Sequence, residues 1–125
     1  MRVFLFFLTI IFLNTKIHSL TASQLILGIE LSQKKAQNGK LSNDQSIVAT
    51  MIDYYIEGFL DGTVMEFETN ARRGKRNFYC TPQEGVNVNQ LYNFILRNKS
   101  KFDDQDTPRS ILTIALSELY PCGRY

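Results

Sequence analysis

The chain has 125 residues, so its length allows one domain and no more. It carries 14 Lys and Arg against 12 Asp and Glu, a net charge of +2. This small excess argues against a general nucleic-acid binder, which carries a strongly basic surface.

Residues 1–19 have the layout of a secretory signal peptide. Arg2 supplies the positive start, an apolar run follows from Val3 to Leu13, and a polar stretch leads to the small residue Ser19. The apolar run is too short to span a bilayer, and no cysteine follows it for lipid attachment. We therefore predict export, cleavage after Ser19, and a mature domain of residues 20–125 without a membrane anchor.

Cleavage would remove His18, the only histidine, and would leave basic and acidic residues equal in number. Nucleophiles activated by an imidazole and zinc sites with histidine ligands are then excluded, and no phosphate or dinucleotide motif is present. Asp53, Glu57 and Asp61 share a predicted helix face and could act as a glycosidase-type pair, but solvated acidic residues at this spacing are far commoner. The sequence predicts a protein that is not an enzyme and has no metal site and no cofactor.

Cys80 and Cys122 are the only two cysteines. In an exported chain two cysteines are expected to form a disulfide. A loop of this length contributes about 4 kcal/mol through the lost entropy of the unfolded chain. The last third of the chain is thus predicted to be closed into a loop.

The helical pattern begins at Thr21, which forms a capping-box motif with Gln24. The first helix is predicted over residues 22–38, where Asn38 and Gly39 end it, with the glycine in the left-handed conformation. The motif recurs at Ser42 ahead of the strongest helical periodicity in the chain, which predicts a central core helix. Its apolar members are Ile47, Val48, Met51, Ile52, Tyr55, Ile56, Phe59, Leu60, Val64 and Phe67.

Gly58 and Gly62 interrupt this second helix at a cost of about 1 kcal/mol each relative to Ala. With Tyr54 they mark a flatter line on which another backbone could approach closely. The simpler interpretation is packing against a helix of the same chain, and the alternative is a dimer or partner surface.

Residues 69–77 break the helical pattern and are predicted to form a loop. The loop contains four basic residues within five positions: Arg72, Arg73, Lys75 and Arg76. A solvated loop is the simpler interpretation, and a contact for an acidic partner is the alternative.

Two further helices follow the Pro82 and Gly85 turn. Asn87 is predicted to cap the third, which ends near Lys99, and Thr107 to cap the fourth. Between them lies an acidic loop with Asp103, Asp104 and Asp106. If the fourth helix continued to Cys122, the sulfur of this cysteine would point towards the buried face of the helix. The predicted fold is an all-α bundle of about four main helices braced by one disulfide.

The order of several short motifs resembles the Rap1a/Tai family of immunity proteins over roughly residues 45–122. These motifs are Tyr55-x-x-Gly58-x-x-Asp61, Cys80-x-Pro82-x-x-Gly85-Val86, Gln90-Leu91, Ala115-Leu116 and Pro121-Cys122. Many relatives carry a further cysteine where this chain has Ile52, Asp53 and Tyr54, and its acidic segment is unusual for the family.

The resemblance implies a small helical periplasmic protein, typically a homodimer, that binds a peptidoglycan amidase delivered by type VI secretion and obstructs its catalytic cleft. The dimer or helix-packing residues would be Tyr54, Tyr55, Gly58, Asp61 and Gly62. The basic or the acidic loop would contact the amidase. The alternative function is a stress-protective periplasmic chaperone of similar build.

Overall fold

Residues 19–123 are described by a computed structural model of the chain. The predicted signal peptide therefore lies outside the described residues, apart from Ser19. Four α-helices and no strand make up this part of the chain, and one disulfide braces it. The predicted all-α fold is confirmed. The helices are α1 (Ala22–Ala36), α2 (Asn43–Arg72), α3 (Val88–Arg97) and α4 (Pro108–Leu119), with a short 3₁₀ turn at Lys99–Lys101.

Side chains at the helix starts supply the hydrogen bonds that the free backbone groups need. Thr21 Oγ1 accepts from the backbone N–H of Gln24 at 3.2 Å, and Gln24 Oε1 accepts from the backbone N–H of Thr21 at 3.0 Å. Ser42 and Gln45 repeat the arrangement at the start of α2. Both predicted capping boxes are confirmed.

The end of α1 differs from the prediction in one respect. Asn38, with a φ of 59°, takes the left-handed conformation that was assigned to Gly39. Asparagine tolerates this region better than other residues with a side chain, and the helix ends at Ala36.

All four helices contribute to one hydrophobic core. The fully or nearly fully buried residues are Ala22, Leu25 and Ile29 from α1, Ile52 and Ile56 from α2, Leu91, Tyr92 and Ile95 from α3, and Ile111, Leu112, Ala115 and Leu116 from α4.

The second helix is longer than predicted and buries less of its apolar surface. It continues to Arg72, so the first residues of the predicted loop are helical. Its buried residues are only Ala49, Ile52, Ile56 and Thr63. The helix contributes Ile52 and Ile56 to the core, but the other members of its apolar stripe are exposed or half-buried.

The close approach between helices occurs at a glycine that the sequence analysis did not single out. A β-carbon on Gly28 of α1 would overlap Ile52 Cγ1 and would lie 2.8 Å from Ile52 Cβ. A β-carbon on Gly58 or Gly62 would meet no atom of the described residues within 4 Å. Within residues 19–123, neither Gly58 nor Gly62 is therefore in close contact with another helix.

Cys80 and Cys122 are bonded, with their α-carbons 4.9 Å apart. The predicted pairing is confirmed, but α4 ends at Leu119 and does not continue to Cys122, because Pro121 cannot donate the next helical hydrogen bond. The N–H of Cys80 donates to the carbonyl oxygen of Tyr120 at 2.9 Å. The bridge thus joins the segment before α3 to the segment after α4.

Candidate interaction surfaces

A polar cluster fixes the inner face of α2 against α1 and α3. Asp53 Oδ1 accepts from Ser32 Oγ at 2.6 Å and from the Tyr92 hydroxyl at 2.7 Å. Burial, followed by the hydrogen bond to Asp53, raises the pKa of Tyr92 well above its usual value. Since Asp53 is turned inwards while Glu57 and Asp61 are exposed, the three carboxylates occupy different environments.

The outer face of α2 carries the residues that were predicted to form a dimer or packing surface. Tyr54 is 70% exposed and Tyr55 38% exposed, and Gly58, Asp61 and Gly62 are exposed as well. The structure therefore places all five on surface that residues 19–123 leave open.

A half-open cleft of about 660 Å³ lies beside this face. One wall is the later part of α2, including Gly58 and Gly62, and the opposite wall is the beginning of α4 with Arg109. Its volume falls in the range of sites that bind small molecules or side chains. The cleft exists at Gly58 and Gly62 because these residues have no side chain to fill it.

Tyr79 and Glu66 both line this cleft. Burial, reinforced by the negative charge of Glu66 and partly opposed by the Thr63 hydroxyl, raises the pKa of Tyr79. The raised pKa favours the neutral hydroxyl, which can both donate and accept a hydrogen bond.

The basic loop, Arg72–Arg76, lies at the far end of α2. The last buried residue of the helix is Thr63, and at 1.5 Å per residue Arg72 lies about 13 Å farther along the axis. Arg72, Arg73, Lys75 and Arg76 are exposed, and none forms an ion pair with another described residue. These cations are therefore available to a partner.

Phe78, two residues beyond the basic loop, is a surface residue that the sequence analysis missed. It is 81% exposed and lines the cleft. Aromatic residues, phenylalanine among them, and arginine are enriched in protein interfaces relative to the rest of the surface. The signal in the sequence is the position of an aromatic residue two residues after a basic run.

The acidic loop is a compact turn in which most carboxylates already have partners. Asp103 Oδ1 accepts from the N–H of Gln105 at 2.7 Å. Asp106 Oδ2 accepts from the N–H of Asp103 at 3.0 Å. Asp104 is exposed and forms no such bond within the described residues. Because two of its three carboxylates accept hydrogen bonds within the turn, it presents less free charge than the basic loop. The turn leads directly into α4.

No family model matches this chain. No curated protein and no solved structure matches it either. Within residues 19–123, no group of three or more His, Cys, Asp or Glu residues is placed to hold a metal ion. No helix in the same range is both long enough and apolar enough to cross a membrane.

Proposed function

We propose that this chain is a periplasmic immunity protein of the Rap1a/Tai type, which binds a type VI secreted peptidoglycan amidase and blocks its cleft. The observation that carries the proposal is the free basic loop at the far end of α2, with Phe78 exposed beside it. The resemblance of the sequence motifs supplies the partner class.

The proposed compartment agrees with the disulfide. Cys80 and Cys122 are bonded, and disulfides persist in oxidising compartments such as the bacterial periplasm. A signal peptide at residues 1–19 would deliver the chain there. An amidase that attacks peptidoglycan would be met in the same compartment.

The proposed mechanism is steric occlusion. The end of α2 carries the basic loop away from the core, and Phe78 offers an apolar anchor for a pocket on the amidase. The cations beyond the end of α2, Arg73, Lys75 and Arg76, speed encounter with an acidic cleft rim, mainly through the association rate. The disulfide and the Asp53 cluster hold the rest of the fold rigid, which lowers the entropy cost of docking.

A homodimer is part of this proposal, as the resemblance implies. Its supporting observation is the outer face of α2, where Tyr54 and its neighbours are exposed. On this arrangement Gly58→Leu would overfill the interface. Light scattering of the mature chain at micromolar concentration would show a monomer if the homodimer is wrong.

The first experiment is capture of the partner. The mature chain would be immobilised and exposed to the envelope and secreted fractions of its own cell. The expected result is an exported amidase that the chain inhibits in a peptidoglycan-cleavage assay. Failure of a captured amidase to lose activity would contradict the occlusion mechanism.

The second experiment tests the basic loop with a charge-matched control. The variant Arg73→Glu with Lys75→Glu is compared with Lys40→Glu and Lys101→Glu, two exposed cations elsewhere. Both variants change the net charge equally. Only the loop variant is expected to slow association with the amidase and to make the association rate less dependent on salt concentration. Equal effects in the two variants would eliminate the loop as the contact.

One observation favours the alternative chaperone function. Several large apolar side chains of α2, including Met51 and Met65, are exposed, and exposed methionines suit binding to varied partners. A chaperone would suppress aggregation of unrelated unfolded proteins at stoichiometric concentration, whereas an immunity protein would not.

A further inference from the structure

The second helix has two apolar faces, and only one of them is covered by other parts of the chain within the described range. The inner face contains Ile52 and Ile56, both buried. On the outer face Ile47 is 57% exposed, Met51 64%, and Met65 72%. Together with Tyr54, these residues follow one another at steps of three, four or eleven positions, which keeps them on one side of a helix. A stripe of this length is unusual on a monomer and marks an interaction site.

We infer that the outer face of α2 pairs antiparallel with α2 of a second copy, with the twofold axis at Gly58. This geometry rests on the homodimer proposed above and is independent of the amidase. In such a pair, residues equidistant from Gly58 on the two helices face each other. The glycine at the axis lets the two backbones approach closely, since no atom of residues 19–123 lies within 4 Å of the position that a β-carbon would take.

The two halves of the face complement each other in size in this register. Tyr54, four positions before the axis, lies opposite Gly62, four positions after it. A large exposed side chain thus meets a residue without one. Met51 lies opposite Met65 by the same rule. The cost of two glycines inside a long helix is explained, because each receives a neighbour from the second copy.

Charge and hydrogen-bonding groups complement each other in the same register. Asp44 and Arg72 lie fourteen positions on either side of Gly58 and therefore face each other. Tyr55 lies opposite Asp61, which is able to accept its hydroxyl proton in a hydrogen bond. A parallel pair would instead place Asp44 against Asp44 and Arg72 against Arg72, which is unfavourable. The complementarity therefore selects a second copy in the antiparallel direction as the occupant.

The pair also completes the cleft beside α2. Gly62 lines the cleft, so Tyr54 of the second copy would lie at its mouth. Each subunit would therefore add an aromatic side chain to a cavity that a single chain leaves open.

Engineered cysteines test the register directly, since Cys80 and Cys122 are already bonded. Gly58→Cys is expected to form a covalent dimer under mild oxidation, because the two introduced sulfurs meet at the axis. Tyr54→Cys is expected not to cross-link with itself but to cross-link with Gly62→Cys when the two variants are mixed. Circular dichroism confirms that each variant is folded.

The outcomes separate the register from the broader proposals. Self-cross-linking of Tyr54→Cys would indicate a parallel pair and would overturn the inference. A dimer in light scattering with no cross-link at Gly58→Cys would overturn the register and leave the homodimer standing. A monomer would overturn both and assign the outer face to another protein, while inhibition of the amidase would remain a separate measurement.

Charge reversal offers a second test. Asp44→Arg alone and Arg72→Asp alone are each expected to weaken dimerisation about tenfold, since each makes both symmetry-related contacts repulsive. The double variant is expected to restore most of the affinity. Glu84→Arg, on an exposed turn, is the control and should leave dimerisation unchanged. Failure of the double variant to recover affinity would contradict the antiparallel contact.

Discussion

The contact between α1 and α2 depends on the absence of a side chain at Gly28, and Gly28→Ala tests this dependence. The added methyl group would overlap Ile52 Cγ1 and lie 2.8 Å from Ile52 Cβ. Because Cβ is attached to the backbone and Ile is branched there, the neighbour cannot rotate away. The two helices must move apart instead.

Two opposing contributions set the size of the effect. Replacing a helical glycine by alanine favours the helix by about 1 kcal/mol. Overfilling a packed contact costs about 1–3 kcal/mol, and here the contact lies in the core. We expect overfilling to dominate, with a net loss of about 1–2 kcal/mol and a melting temperature lower by roughly 5–10 °C.

The assay is thermal and urea unfolding followed by circular dichroism. Gly62→Ala is the matched control, because the same methyl group there meets no described atom within 4 Å and should stabilise the single chain. Measurement at several protein concentrations separates any contribution of the dimer. In the double variant Gly28→Ala with Ile52→Ala, the total loss of unfolding free energy should be smaller than the sum of the losses in the two single variants.

A specific result would refute this reasoning. If Gly28→Ala is at least as stable as the natural chain, then α1 and α2 are not in the close contact described. An unchanged Gly28→Ala together with a destabilised Gly62→Ala would place the close approach on the outer face of α2 alone.

Further predictions concern the disulfide and the polar cluster. Reduction of the Cys80–Cys122 bridge should lower the free energy of unfolding by about 4 kcal/mol, as measured by urea unfolding with and without reductant. Asp53→Ala should cost about 2–4 kcal/mol, because it leaves the hydroxyls of Ser32 and Tyr92 without their acceptor, whereas Asp53→Asn, which keeps an acceptor oxygen, should cost less. The pKa of Tyr92 is higher in the folded chain than its usual 10.0, so the unfolded chain loses this proton first and stability should fall as pH rises above about 10. Urea unfolding at pH 9 and pH 11 should show a smaller fall for Tyr92→Phe.

The helix starts and the disulfide could be predicted because their signals are local. Thr21 and Ser42 each reach an amide three residues away, and this spacing is visible in the sequence. The pairing of Cys80 with Cys122 required only that no other cysteine exists. Such features depend little on how the helices pack against one another.

The buried face of α2 could not be predicted from its periodicity. Apolar residues occur on two sides of the helix, and helical spacing does not reveal which side faces α1. The buried face includes Ala49 and Thr63, which carry little apolar signal. Its position is set instead by tertiary contacts, namely Gly28 against Ile52 and the hydrogen bonds of Asp53.

The cleft and the free end of α2 were also beyond the sequence analysis. The cleft forms between parts of the chain that are more than 30 residues apart, such as Gly62 and Arg109. The exposure of Phe78 at this cleft is likewise a result of tertiary packing. Arg72 was assigned to a loop because the apolar pattern stops before it, although the backbone remains helical.

The disulfide divides the chain into two parts with different resistance to cutting. Residues 80–122 form a closed covalent ring that holds α3 and α4, so a protease cut in the turn around Asp104 leaves every piece attached. The basic loop lies in the one stretch of backbone that connects α1 and α2 to this ring. A cut after Arg73 or Lys75 would break the covalent link between these two helices and the ring. The helices would then be held only by non-covalent contacts. A partner bound over the basic loop would therefore also shield the peptide bonds on which the integrity of the chain depends.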